Sequence, residues 1–294
     1  MKKLFVVSFL IITSLSFHSK AYANACTVTS GVTTLPVGDS CMSEPQSYGI
    51  TLYSKYLCTT APTVPADGVA YDLSNCVQTM SSANGEVVRV TSTSSNVALS
   101  TPVTRPPNGS YTHGVMIFKN EFLIKQNIIF DDDTQGDSQD AGVPSVGAIY
   151  CSTVSGSGNE DDCNSLVCST SQGTAGEFAA ALPNFNVGGA YEGTASETFA
   201  SGNIMSAYLL NTSNELADDA IEAAAGAKMF GLQEFAAAVV VDKDTKGFNM
   251  SFNVSTGSSI WQNSPASCTD GAAKSGTYSV GSGPFQVLLT PVQY

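Results

Sequence analysis

The sequence predicts a mainly β fold, an antiparallel β-sandwich with one or two short helices and a long disulfide-stapled acidic loop. Three observations carry this expectation. Apolar residues alternate with polar ones in short runs, clusters of Gly, Pro, Asn and Ser punctuate those runs, and cysteines are spread along a chain that begins like an exported protein. Alternating strands of this length bury their apolar faces most simply as two packed antiparallel sheets.

The N-terminus supplies the export reading. Lys2 and Lys3 precede an apolar stretch from Leu4 to Leu15, and small residues follow at Ala21, Ala23 and Ala25. This is the pattern of a cleavable signal peptide over residues 1–23. The apolar run falls short of the about 20 residues a membrane-spanning helix needs. No later segment reaches that length, so the mature chain is expected to carry no transmembrane segment and to reside in the extracellular space, at the cell surface or in the periplasm. Cleavage removes three lysines and no acid, which moves the formal net charge from −13 to −16. Such an acidic surface repels phosphate backbones and excludes nucleic acid as a partner.

All eight cysteines follow the signal: Cys26, Cys41, Cys58, Cys76, Cys151, Cys163, Cys168 and Cys268. An even count in an exported chain points to four disulfides, with on the order of a hundred pairings open to them. Spacing favours the local links Cys26–Cys41, Cys58–Cys76 and Cys163–Cys168, which leaves Cys151–Cys268.

Residues 24–132 read as an N-terminal β region. Tyr48, Ile50 and Leu52 alternate with Gly49 and Thr51 as a half-buried strand. Asn84-Gly85 reads as a hairpin turn entering a strand at Val87 to Val90. After the loop Pro106-Pro107-Asn108-Gly109, Tyr111 to Phe118 runs extended. Lys119-Asn120-Glu121 breaks the pattern, and Phe122 to Phe130 reads as the return strand.

Residues 133–175 read as an acidic loop holding three of the cysteines, and residues 176–294 as a C-terminal β region with a short helix, continuous with the N-terminal region if the chain forms one sandwich. Thr212 and Glu215 form a capping-box pattern ahead of Leu216, Ala220, Ile221 and Ala224, and Gly226 ends the helix. Val239 to Val241 is a strand. After a turn at Asp242 to Gly247, Phe248, Met250, Phe252 and Val254 alternate strictly. Phe285 to Tyr294 is a final strand, with Pro291 marking an edge position.

The chemistry is read mainly by elimination. His113 is the sole histidine beyond the signal, and it falls inside a strand. The sequence holds no G-x-S-x-G elbow, H-E-x-x-H helix or phosphate-binding glycine loop. Serine and zinc hydrolysis by familiar routes are thereby excluded, no catalytic residue is assigned, and the chain is expected not to be an enzyme. Asp131, Asp133, Asp137 and Asp140 offer hard oxygen ligands for calcium, with Gly136 permitting a tight turn; a solvated acidic loop accounts for the same residues. Trp261 reads either as a sugar-stacking platform or as core filling.

These readings converge on an exported, non-enzymatic structural or adhesive protein of the cell surface or extracellular space. It would assemble through edge strands or engage surface glycans. A secreted glycan- or calcium-binding module is the alternative, followed by a carboxylate-dependent glycoside hydrolase.

Overall fold

The computed structural model describes residues 25–35, 40–91, 97, 99–130, 149–159, 165–186, 190–262 and 278–293. In chain order the first strands are β1 (Thr27–Thr29), β2 (Val32–Thr34), β3 (Ser40–Ser43), β4 (Ser47–Cys58), β5 (Cys76–Val90), β6 (Gly109–Lys125) and β7 (Asn127–Phe130). Short strands follow at β8 (Ile149–Thr153), β9 (Gly156–Asn159), β10 (Leu166–Ser169), β11 (Phe178–Ala181), β12 (Thr194–Thr198) and β13 (Ile204–Leu210). The helix α1 (Ala220–Gly226) precedes β14 (Lys228–Val241), β15 (Thr245–Asn253), β16 (Ser258–Gln262), β17 (Tyr278–Ser282) and β18 (Gln286–Gln293). The fold is mainly β, built from several largely antiparallel sheets, as the alternating pattern predicts.

The long strand β6 organises the largest sheet. Along one edge it pairs with β4, from Ser47↔Lys125 to Cys58↔His113. Along the other it pairs first with β14, from Val241↔Gly109 to Lys228↔Lys119, and then with β11 at Phe178↔Ile124. β4 carries β5 on its far side, and β14 carries β13 and then β12. Strands from both halves of the sequence therefore interleave in one sheet.

The change of partner from β14 to β11 falls at Lys119-Asn120-Glu121. There the chain does not break and return; it bulges within a single strand, and the stretch beyond Lys125 enters a different sheet as β7. Asn120 fills the gap in the ladder. Its main-chain N–H donates to the Ala227 carbonyl (2.9 Å), its side-chain amide donates to the Leu182 carbonyl (2.7 Å), and its side-chain oxygen accepts from the Leu182 N–H (3.2 Å). A buried side chain thus stands in for a missing strand.

Asn84-Gly85 shows the same kind of difference. β5 runs unbroken through these residues, and the β4–β5 register jumps from Leu52↔Glu86 to Ser54↔Ser81. Gly85 has the positive φ of 78° that a hairpin glycine would need, but spends it on a bulge. A Cβ there would collide with the Thr51 methyl.

The inner face of this sheet is covered by the pair β15–β18 and by the sheet β17–β16–β3. Phe285 is the centre of the contact, with ring centroids 5.6 Å from Tyr48, 6.0 Å from Phe118, 6.4 Å from Phe122 and 6.1 Å from Phe252. Burying each such ring contributes about 1.5–3 kcal/mol. Phe130 stacks on Tyr278 at 3.9 Å and ties in the sheet β1–β2–β7–β8–β10. Trp261 is buried in β16, which settles its position as core. A second apolar cluster on the outer face, around Ile117 and Phe230, is covered by residues 59–75, with Tyr71 5.1 Å from Phe230.

The helix starts about two turns later than its expected cap. Asp219, not Thr212, is the N-cap and accepts from the Glu222 N–H at 2.8 Å. Gly226 ends the helix as expected. The capping box is displaced because residues 211–215 form their own turn, in which the Asn211 side chain accepts from the Ser213 and Glu215 N–H groups.

The segment expected as one acidic loop contains β8, β9 and β10. It is stapled, but by Cys151–Cys168 rather than Cys163–Cys168. The reason is register: β8 and β10 are antiparallel neighbours in which Cys168 lies opposite Cys151. The expected Cys151–Cys268 link is overturned with it, and Cys163 and Cys268 lie outside the described residues. Cys26–Cys41 and Cys58–Cys76 form as the spacing suggests.

Non-reducing peptide mapping is expected to recover Cys151–Cys168, and a Cys163–Cys168 peptide would contradict the β8–β10 register. Replacing Cys151 and Cys168 together with Ser should cost about 3 kcal/mol in denaturant unfolding. Asn120→Ala, which orphans two buried main-chain groups of Leu182, should cost about 2–3 kcal/mol by the same measurement.

Candidate functional site

β4 begins with Tyr48, Ile50 and Leu52 facing the inner layer, each almost fully buried. Continued in phase, that alternation would send Lys55 to the outer face. The bulge around Tyr53 prevents this. Beyond it Leu57 packs with the inner cluster of Tyr111, Val239 and Val241, while Cys58 packs with the outer cluster of Val115 and Ile117. The inward phase has switched from even to odd positions, and Lys55 goes with it.

Lys55 is consequently only 8% exposed. It lies opposite Met80 of β5 and Met116 of β6. Its ammonium nitrogen, Nζ, donates to the Met250 Sδ of β15 at 3.5 Å, a weak acceptor for so polar a group. Burial alone pulls the amine down from its ordinary 10.5 to about 7.

Lys55 lines a cavity of about 280 Å³ between β4–β5 and β15. Leu57, Met80, Val103, Phe248 and Met250 form much of the rest of the wall. Val103, 52% exposed, and the exposed Asn249 also line it, which puts its mouth at the surface. Lys55 also borders a smaller void with Met116, Gln233 and Leu289. Gln233 is engaged elsewhere: its side chain donates to the Val287 carbonyl (2.7 Å) and accepts from the Val287 N–H (2.9 Å).

The residues singled out from the sequence do not gather here. Asp131, Asp133, Asp137 and Asp140 lie outside the described residues. Among the described residues no group of three or more His, Cys, Asp or Glu is placed to hold a metal ion. His113 is half-buried on β6 between Cys58 and Glu234, its Nδ1 2.8 Å from the Thr112 hydroxyl. The acids near α1 form an exposed patch in which Asp67, then Glu222 and Asp219, raise the Asp218 carboxyl above its ordinary value. Asp242 accepts from the Asp244 N–H and the Thr245 hydroxyl, forming the turn before β15.

With this geometry in hand, comparison with known proteins adds no relative: no protein-family model matches the chain, and neither does any curated protein or solved structure.

The buried amine has a thermodynamic signature. Below pH 7 the folded and unfolded chains both hold the Lys55 proton, and the fold bears the full penalty of an enclosed ammonium. Between about pH 7 and 10.5 the unfolded chain keeps a proton that the folded chain has lost, so this contribution to stability improves as pH rises. Lys55→Met should therefore unfold at higher denaturant concentration than the parent at pH 6, by an amount on the order of several kcal/mol. The difference should shrink toward pH 10; a gap that stays constant with pH would show that Lys55 is not buried as a titrating amine.

Proposed function

We propose that this chain is an exported, non-enzymatic β protein of the cell surface or extracellular space, with a structural or adhesive role and self-association through edge strands. The observation that carries the reading is the placement of its disulfides. Cys26–Cys41, Cys58–Cys76 and Cys151–Cys168 each close 15 to 18 residues around a strand pair or its covering loop. Such staples persist where thiols oxidise, and they strengthen a fold against a harsh exterior. Among the described residues no helix is long and apolar enough to cross a membrane.

The edges differ in their fitness for assembly. β1 and β12 each end a sheet, and among the described residues β5 has β4 as its one strand partner, with a bridge from Met80 to Val103 on its other edge. β1 is exposed along its whole length, with Val28 56% exposed, and β5 presents Val87 at 47%. The terminal strand β18 is the poorer candidate. Among the described residues its one strand partner is β15, but Gln233 also occupies the main chain of Val287, and Pro291 brings no N–H. Assembly through β1 or β5 follows.

Light scattering of the secreted protein is expected to show a mass that rises above the monomer with concentration. Val28→Lys and Val87→Lys should together suppress that rise without changing the unfolding midpoint by more than about 0.5 kcal/mol. A strictly monomeric protein that attaches to no glycan or cell surface would overturn the proposal.

A further inference from the structure

We propose that the cavity beside Lys55 is a binding site for a small apolar carboxylate, whose tail fills the void and whose carboxylate pairs with the Lys55 ammonium. Nothing in the surface role requires this site, and it stands on its own observations.

The first is size. A dry apolar void of about 150 Å³ takes up benzene. By proportion the 280 Å³ here suits a guest of roughly ten non-hydrogen atoms. The second is chemistry. The wall is dominated by aliphatic, thioether and aromatic groups, and Lys55 is its one charged member. An ammonium has three donors, and among the described residues the acceptor this one meets is a thioether. Buried charges are ordinarily paired. A carboxylate supplies two strong acceptors and the opposite charge, and a hydrocarbon tail suits the apolar part of the wall, which Thr79 and Asn249 complete. The third is access, because the wall reaches the exterior at Val103 and Asn249.

Binding should also depend on pH in a way that packing alone would not. The strands around Lys55 carry other charged and titratable side chains: Glu86 and Arg89 on β5, His113 and Glu121 on β6, Glu234 on β14 and Lys246 on β15. None of them lines either void, and neither do the remaining lysines of β6 and β14. Lys55 is then the protein group whose protonation the anion requires. Since it titrates near pH 7 when the cavity is free, affinity should fall by about tenfold per pH unit above that point.

The test is calorimetry of the intact, oxidised protein with octanoate, alongside octylamine and octanol, at pH 6 and pH 8.5. Octanoate should bind at one site per chain at pH 6 and at least tenfold more weakly at pH 8.5, and octylamine should not bind. Lys55→Met, whose fold is expected to be the more stable one, should lose octanoate affinity by at least tenfold while retaining octanol. Octanoate that fails to bind, or that binds Lys55→Met equally well, would overturn the assignment. So would labelling of Lys55 by octanal with cyanoborohydride in a protein indifferent to octanoate, because the amine would then serve imine formation.

Discussion

β6 must satisfy three neighbours along two edges, and the fold depends on how it does so. A strand can hydrogen-bond only one partner at each point of an edge, so β14 must end before β11 begins. The join is where ladder groups would otherwise be left unpaired inside the protein. Asn120 resolves this by offering one donor and one acceptor to Leu182, while its own N–H goes to Ala227. Those two partners lie just before β14 and just after β11. One residue therefore ties down the ends of both neighbours of β6, its side chain holding the end of β11 and its main-chain N–H the start of β14. The layer above follows from that geometry, since Phe285 packs on Phe118 and Phe122, which flank the bulge.

Much of this architecture was legible in the residues. The alternations of β4 and β15, the edge character of β18, the glycine that ends α1 and two disulfides follow from local rules. What could not be read was the meaning of an interruption. Lys119-Asn120-Glu121 and Asn84-Gly85 both carry polar turn chemistry, and a bulge uses the same residues as a hairpin. The choice depends on whether a neighbouring strand runs past the interruption. In both places β4 does so, a long-range fact with no local signature. The disulfide of β8 and β10 was missed for a related reason. Cys163 is nearer to Cys168 in sequence, but antiparallel register places Cys151 opposite it.

The candidate site was hidden by the same kind of event. Strand periodicity assigns a face to every residue only while the phase holds. Tyr48, Ile50 and Leu52 establish a phase in which Lys55 is a solvent-facing lysine of no interest. A single unpaired residue in the bulge reverses that assignment for the remainder of the strand. The signal available in the sequence was indirect: Leu57 is apolar at an odd position, out of step with the three residues before it. Taken together with the bulky Tyr53 between Leu52 and Ser54, it marks a change of face that a strict alternation does not accommodate.

That reversal carries a cost which bears on function. A lysine enclosed by methionines destabilises the fold, whereas a methionine or leucine at the same position would pack without desolvating a charge. The disulfides supply stability from a separate source, by restricting the unfolded chain rather than by improving the interior. A stapled scaffold can therefore hold an unfavourable buried group that a scaffold resting on packing alone would tolerate poorly. On this argument the cross-links and the buried amine are linked features of one design. The first makes the fold durable, and the same durability lets β4 present a charge to the cavity. An anionic guest would then return to the folded state part of the free energy that enclosing Lys55 removes, coupling occupancy of the cavity to the stability of the strands around it.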